Sequence, residues 1–205
     1  MAQIITIARG MGSGGRTIGK MLSEALGCKY YDKDLIKLAS EDSGISEAFF
    51  GLVDEKLKSS FIKRGGVYKG GVLDPSSRDF TSDRNLFNFQ AKIIKDLADK
   101  EPAVIVGRCA DFILRDRKDV IKLFIYCDEE TAVYNVTEAY GNSEKDAKKL
   151  IEKIDKERRE YYRHYTGREW TDARNYNICL DTSRLDYDTC VRIIRGYIDI
   201  IGERK

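Results

Sequence analysis

Four glycines fall within the eight residues GMGSGGRT, Gly10 to Thr17, one residue after the apolar run QIITIA and directly before the helical pattern IGKMLSEALG. A strand, a glycine-rich turn and an amphipathic helix in that order leave few arrangements open to a chain. Such a turn lets consecutive backbone N–H groups approach one anion, and the free amides of the helix start add partial positive charge. Gly10, Gly15 and Thr17 are in register with the pattern G-x-x-x-x-G-K-[ST], but Arg16 stands where the pattern has lysine. Arginine supplies the charge through a planar fork that prefers bidentate contacts. A helix cap with incidental glycines is the rival explanation, and Gly14 and Gly15 suit it poorly because Ser, Thr, Asp and Asn lead at N-caps. The stretch therefore reads as a phosphate-binding loop made of Gly10, Met11, Gly12, Ser13, Gly14, Gly15, Arg16 and Thr17. Arg16 would contact the β and γ phosphates and the Thr17 hydroxyl would coordinate Mg²⁺.

Five apolar runs of strand length recur along the chain: IITIA, KYYD, AVIVG, KLFIYC and YNICL. Helical patterns separate them. Ile18, Leu22 and Leu26 share one face, as do Leu86, Ile93, Ile94 and Leu97, and Val191, Ile194, Ile198 and Ile201 close the chain. The alternation predicts an α/β fold with a central parallel sheet flanked by helices. Two segments stand outside it. One, from about Lys33 to Asp83, begins in a helical pattern and ends in the glycine-broken KRGGVYKGGVLDPSSRDFTSDR, which reads as a helical insertion with a mobile connection. The other, about Ala139 to Tyr176, carries Arg158, Arg159, Arg163, Arg168 and Arg174 and reads as a charged surface lobe.

With 36 basic residues against 34 acidic ones, the net charge of +2 argues against a general nucleic-acid binder. No apolar stretch is long enough to span a bilayer, and the N-terminus lacks the pattern of a secretory signal, so a cytoplasmic protein is expected. Cys28, Cys109, Cys127, Cys179 and Cys190 are scattered, without a C-x-x-C pair and with only His164 to assist metal binding. A zinc site and a catalytic thiol are both disfavoured. Cys109, Cys127 and Cys179 are expected in the core.

The segments IITIARGMGSGGRTIGKMLSEALGCKYYDKDLI, AVIVGRCADFIL and DKERREYYRHYTGREWTDARNYNICLDTS together resemble the cytidylate kinase-like family over essentially the whole chain. The resemblance implies a single P-loop kinase domain over 1–205 with a five-stranded parallel sheet. Its core would comprise 1–32, 84–138 and 176–205, with a monophosphate-binding insertion at about 33–83 and a lid at about 139–175. It implies ATP and Mg²⁺ as cofactors, small-molecule nucleotides as partners, and transfer of the γ-phosphoryl group to a nucleoside monophosphate, with CMP or dCMP the first candidates. The oligomeric state stays open. A P-loop kinase of another small acceptor and a catalytically weak ATP sensor are the alternatives, since Arg16 replaces the lysine of cytidylate kinases proper.

Gly107 and Arg108 look like the start of that family's Gly-Arg-Asp triplet, with Cys109 in place of the aspartate. Asp111 either substitutes for it or caps the following helix. Asp155 and Arg158 keep the family's D-x-x-R spacing, while Ile151 stands where an arginine is expected, a role open to Arg159 or Arg163. Asp32 either orients the acceptor or caps a helix, and Arg84 lies one residue from the place of a phosphate-contacting arginine. Asp128 looks like a Walker B aspartate, but DEE at a helix start favours capping. By this resemblance Arg16, Arg158 and Arg163 are the catalytic set, and Asp32, Arg84, Arg108, Asp111, Asp155 and Arg159 the acceptor set.

Overall fold

The computed structural model describes residues 3–55 and 67–202. Strand β1 (Ile4–Arg9) is buried along its whole length, so it must be covered on both faces and flanked on both edges. It lies at the centre of a five-stranded parallel sheet with β2 (Lys29–Tyr31), β3 (Ala103–Val106), β4 (Val120–Tyr126) and β5 (Ile178–Asp181), in the order β2-β3-β1-β4-β5. Ile4 is opposite Ala103 on one side and Val120 on the other. Pleating then divides the strand residues between two cores. Ile5, Ile7, Val104, Leu123 and Ile125 pack under α1 (Gly15–Leu26) and α8 (Tyr187–Gly202) through Ile18, Leu22, Val191 and Ile194. Ile4, Ala8, Ile105 and Phe124 face the opposite layer.

That layer contains α4 (Asp83–Lys100), whose start is capped by the Ser82 hydroxyl accepting the Asn85 N–H, and the short α5 (Ala110–Ile113). The expected insertion supplies α2 (Asp34–Ser43) and α3 (Glu47–Val53), which bury Leu35, Ala39 and Phe50 in this same core. The part of the expected mobile connection that falls within 56–66 lies outside the described residues. After β4 come α6 (Glu129–Tyr140) and α7 (Glu144–Thr166), a 23-residue helix.

Helix α7 departs from the expected surface lobe. Its C-terminal half buries Tyr161, Tyr162 and Tyr165, and the Tyr165 ring stacks on Phe87 with centroids 3.8 Å apart. The tyrosines at helical spacing form an apolar face that the surrounding arginines obscure. Among the described residues no helix is long and apolar enough to cross a membrane, and no cluster of His, Cys, Asp and Glu could hold a metal ion. All five cysteines are free. Cys109 and Cys190 are buried, whereas Cys127 and Cys179 are half-buried and line a cavity, which corrects the expectation of core positions for both.

Candidate active site

The end of β1 delivers Arg9, and Gly10 turns the chain out of the sheet with its N–H still bonded to the Ile125 carbonyl at 3.0 Å. From there the loop is held through its carbonyl groups. The Ser13 hydroxyl donates to Gly10 O at 2.9 Å, Asn135 Nδ2 to Gly12 O at 2.8 Å, and Thr182 Oγ1 to Ser13 O at 3.0 Å. Gly12 has φ +79°, and a Cβ there would come within 2.7 Å of the Ala132 carbonyl oxygen. Gly14 is the N-cap of α1 and has no side chain to bond the first-turn amides, which have no acceptor within the helix. These amides, Arg16 and Thr17 border a cavity of about 190 Å³ that Arg158 and Tyr187 also line. Uncapped donors beside a guanidinium suit a polyphosphate, and the Thr17 hydroxyl on the same cavity is an oxygen ligand suited to Mg²⁺.

Beside the loop is a dense cluster of ion pairs. Arg9, Arg108 and Arg158 are all more than nine-tenths buried. Asp32, at the end of β2, pairs with Arg16 Nε at 2.8 Å and with Arg108 Nη1 at 3.4 Å. Its side chain therefore belongs to the cluster, and the N-cap of α2 is Lys33, without a side-chain bond. Arg108 Nη2 donates to Asp54 at 3.0 Å, and its backbone N–H donates to Glu55 Oε1 at 3.0 Å. The same Glu55 oxygen takes Arg9 Nη1 at 2.6 Å, while Oε2 lies 3.6 Å from Arg158 Nε. Burial alone would raise the Glu55 carboxyl, but the Arg9, Arg158 and Arg108 guanidiniums hold it well below the usual carboxylate range. At Asp54 burial prevails and the shift is upward.

Backbone strain is concentrated at this cluster. Gly107, Arg108 and Cys109 are three consecutive residues at φ +78°, +52° and +55°, and Glu55 has φ +52°. A Cβ on Gly107 would collide with the Glu55 carboxylate and approach Arg9 Nη1 at 2.6 Å, so the glycine is what allows the two arginines and Glu55 to converge.

Helix α7 closes over both halves. Asp155 Oδ1 accepts the Met11 N–H at 2.8 Å, and Arg158 Nη1 donates to the Arg9 carbonyl at 3.1 Å and to Asp155 at 3.2 Å. Burial pushes the Asp155 carboxyl up and the Arg158 guanidinium down. Arg159, one residue on, lines a cavity of about 870 Å³ together with Asp155, Met11, Phe124, Tyr126 and Trp170. Asp111 lies in the first turn of α5, whose N-cap is Cys109, and accepts the Tyr162 hydroxyl at 2.6 Å. Burial raises its carboxyl to about 6. Asp128 caps α6 by accepting the Thr131 N–H at 2.8 Å.

Two residues of the expected set lie apart from the cluster. Arg163, in the last turn of α7, is exposed and pairs with Glu169 at 3.5 Å. Arg84 is exposed on the first turn of α4. Conversely, Arg9, Asp54 and Glu55 were not singled out from the sequence. An arginine ending an apolar strand just before a glycine loop is a readable signal for Arg9, whereas nothing local marks Glu55.

The chain is similar over nearly its whole length to two proteins known as cytidylate kinases. One, from Methanopyrus kandleri, is 24% identical, with 98% of this chain and 96% of that protein covered. The other, from Methanosarcina mazei, is 28% identical, covering 96% of this chain and 97% of the relative. A crystal structure of an uncharacterized protein from Eubacterium ventriosum superposes with a TM-score of 0.71 at 31% identity, over 96% of this chain and 98% of that one. The model of the cytidylate kinase-like family matches residues 4–184. With this match added to a parallel sheet, a phosphate-type glycine loop and an arginine-rich helix closing over it, the chain belongs to the cytidylate kinase-like family and has a P-loop kinase fold.

Proposed function

We propose that the protein transfers the γ-phosphoryl group of ATP to a nucleoside monophosphate, with CMP or dCMP as the preferred acceptor. The observation that carries this reading is the bridge formed by Asp32, which ties Arg16 of the loop to Arg108 of the neighbouring arginine cluster. It couples a polyphosphate cradle to a second, cation-rich site within reach of in-line transfer. The loop amides and Arg16 hold the donor's phosphates, and Arg158 stabilises charge on the transferring group. Mg²⁺ held at Thr17 would supply neutralisation of the phosphate oxygens. No general base is required, because an acceptor phosphate is already ionised, and α7 excludes water that would otherwise compete for the phosphoryl group.

A second reading, phosphorylation of a different small acceptor, is favoured by the space around the Gly107–Asp111 turn. The cavity bordered by Arg108, Asp111 and Tyr162 measures about 20 Å³, and Tyr162 already occupies the Asp111 carboxylate. Incubation with ATP, Mg²⁺ and each of CMP, dCMP, UMP, AMP and GMP, followed by chromatographic separation, tests both readings. A diphosphate from CMP or dCMP supports the first. No product from any of the five rejects the first, and transfer to a different phosphorylated or hydroxylated small molecule added in their place supports the second.

A further inference from the structure

Glu55 is a carboxylate in a place built for a larger anion. It projects from the end of the insertion helix α3 through a strained backbone, at φ +52°, into the space between Arg9, Arg108 and Arg158. These arginines have more donors than the carboxylates can use. Among the described residues, buried Arg9 Nε, Arg9 Nη2, Arg108 Nε and Arg158 Nε have no hydrogen-bond partner. Arg158 Nε lies 3.6 Å from Glu55 and Arg9 Nη2 4.0 Å from Asp32, too far to be satisfied, and buried donors left without an acceptor are costly. A phosphate monoester has three terminal oxygens and up to two charges, which fits the donor excess better than the two oxygens of a carboxylate do.

We propose that Glu55 is a resident stand-in for the acceptor's phosphate, that a phosphomonoester displaces it from this arginine nest, and that Arg9 is the residue that selects such an acceptor. This rests on the kinase reading above and deepens it by naming the seat of the acceptor's anion and its competitor. Strain at Glu55 makes its release easier, since leaving the nest relieves the left-handed backbone. With Asp32 and Asp54 on Arg108 and Asp155 on Arg158, the Glu55 carboxylate completes the compensation of the cluster, chiefly at Arg9, until an acceptor arrives. A phosphomonoester binds only to the fraction of molecules whose seat is open, so Glu55 lowers the apparent affinity for short anions.

The test is calorimetric titration with inorganic phosphate, in the absence of ATP, on the full chain. Glu55→Gln is expected to bind phosphate about tenfold more tightly than the unsubstituted protein, because the competing charge is gone. A gain smaller than threefold overturns the proposal. Arg9→Lys, which keeps the charge but offers a single donor centre, is expected to lose at least tenfold in the Glu55→Gln background. Unchanged affinity there overturns the role of Arg9. Should glutamine re-form the contact with Arg9, Glu55→Ala replaces it under the same criteria, and circular dichroism verifies that each variant is folded. Titration with acetate separates the two anion classes: a gain for acetate equal to that for phosphate overturns selection of a phosphomonoester. Because phosphate binding is read without turnover, failure of this proposal is distinct from failure of the kinase reading, which the acceptor screen decides.

Discussion

The side chain of Asp155 accepts the backbone N–H of Met11 at 2.8 Å, although 144 residues separate them. A carboxylate from α7 thus bonds an amide of the very loop that is shaped to hold phosphate, and it pairs with Arg158 at the same time. Closure of α7 and the geometry of the loop are therefore a single structural event.

Removing this carboxylate should loosen the loop more than it unfolds the protein. Asp155→Ala is expected to lose about 1 to 2 kcal/mol, the usual effect of deleting a buried charged hydrogen-bond partner. Because burial already disfavours the charge on Asp155, Asp155→Asn should lose less. Urea denaturation checks both values, and faster hydrogen exchange at Met11 in the alanine variant checks the location.

Arg16 is half-exposed and tied to Asp32, so its chemical and structural roles must be separated. Arg16→Ala is expected to reduce kcat by a factor on the order of 10² to 10³, as for loss of one donor at a developing charge. Stability should change little, since an exposed arginine contributes modestly to folding. Steady-state kinetics beside thermal unfolding decides the matter: a fall in Tm with intact kcat would leave Arg16 a purely structural role.

Asp111 makes a definite contribution to the pH dependence of stability. Its carboxyl is raised to about 6 by burial, above the value of an unfolded aspartate, so the folded state binds this proton more tightly. The stabilisation is complete below the unfolded pKa and is lost as pH rises through about 6. Glu55 acts with the opposite sign, because its lowered carboxyl withdraws stability as pH falls. Comparing wild type with Asp111→Asn isolates the first effect. The stability difference between the two proteins is expected to move by about 2 kcal/mol from pH 4 to pH 7, with wild type gaining toward acid.

Glycines at positive φ should differ sharply in tolerance. At Gly27, φ +62°, an added Cβ meets nothing within 4 Å, so Gly27→Ala should lose only about 1 kcal/mol of stability from the left-handed backbone. Gly12→Ala adds the collision with Ala132 and should lose about 2 to 3 kcal/mol more, together with ATP affinity. Urea denaturation and nucleotide titration of the two variants test the contrast.

The sheet and the loop were legible because both are local patterns: apolar runs of strand length, and glycines between a strand and a helix. The five runs correspond to β1 to β5, and Gly10 to Thr17 form the turn after β1 and the first residues of α1. The character of α7 was less legible, since arginines at 158, 159 and 163 outweigh three tyrosines, two of which, Tyr161 and Tyr165, pack on Phe87, more than 70 residues away in the chain. Asp32 carried two meanings, and only the proximity of Arg16 and Arg108 distinguishes them. Glu55 carried no local signal at all. It belongs to the cluster because Gly107 leaves room for it, a fact of tertiary packing invisible to pattern or spacing.

The holding of the loop carbonyls by Asn135 and Thr182, and of its Met11 amide by Asp155, has a consequence for how the chain matures. These anchors lie at residues 135, 155 and 182 and reach back to residues 11 to 13. During synthesis the glycine loop emerges early but remains unshaped until the final strand has joined the sheet. On the proposed kinase reading, a nucleotide donor would therefore stabilise the completed fold rather than template its early stages.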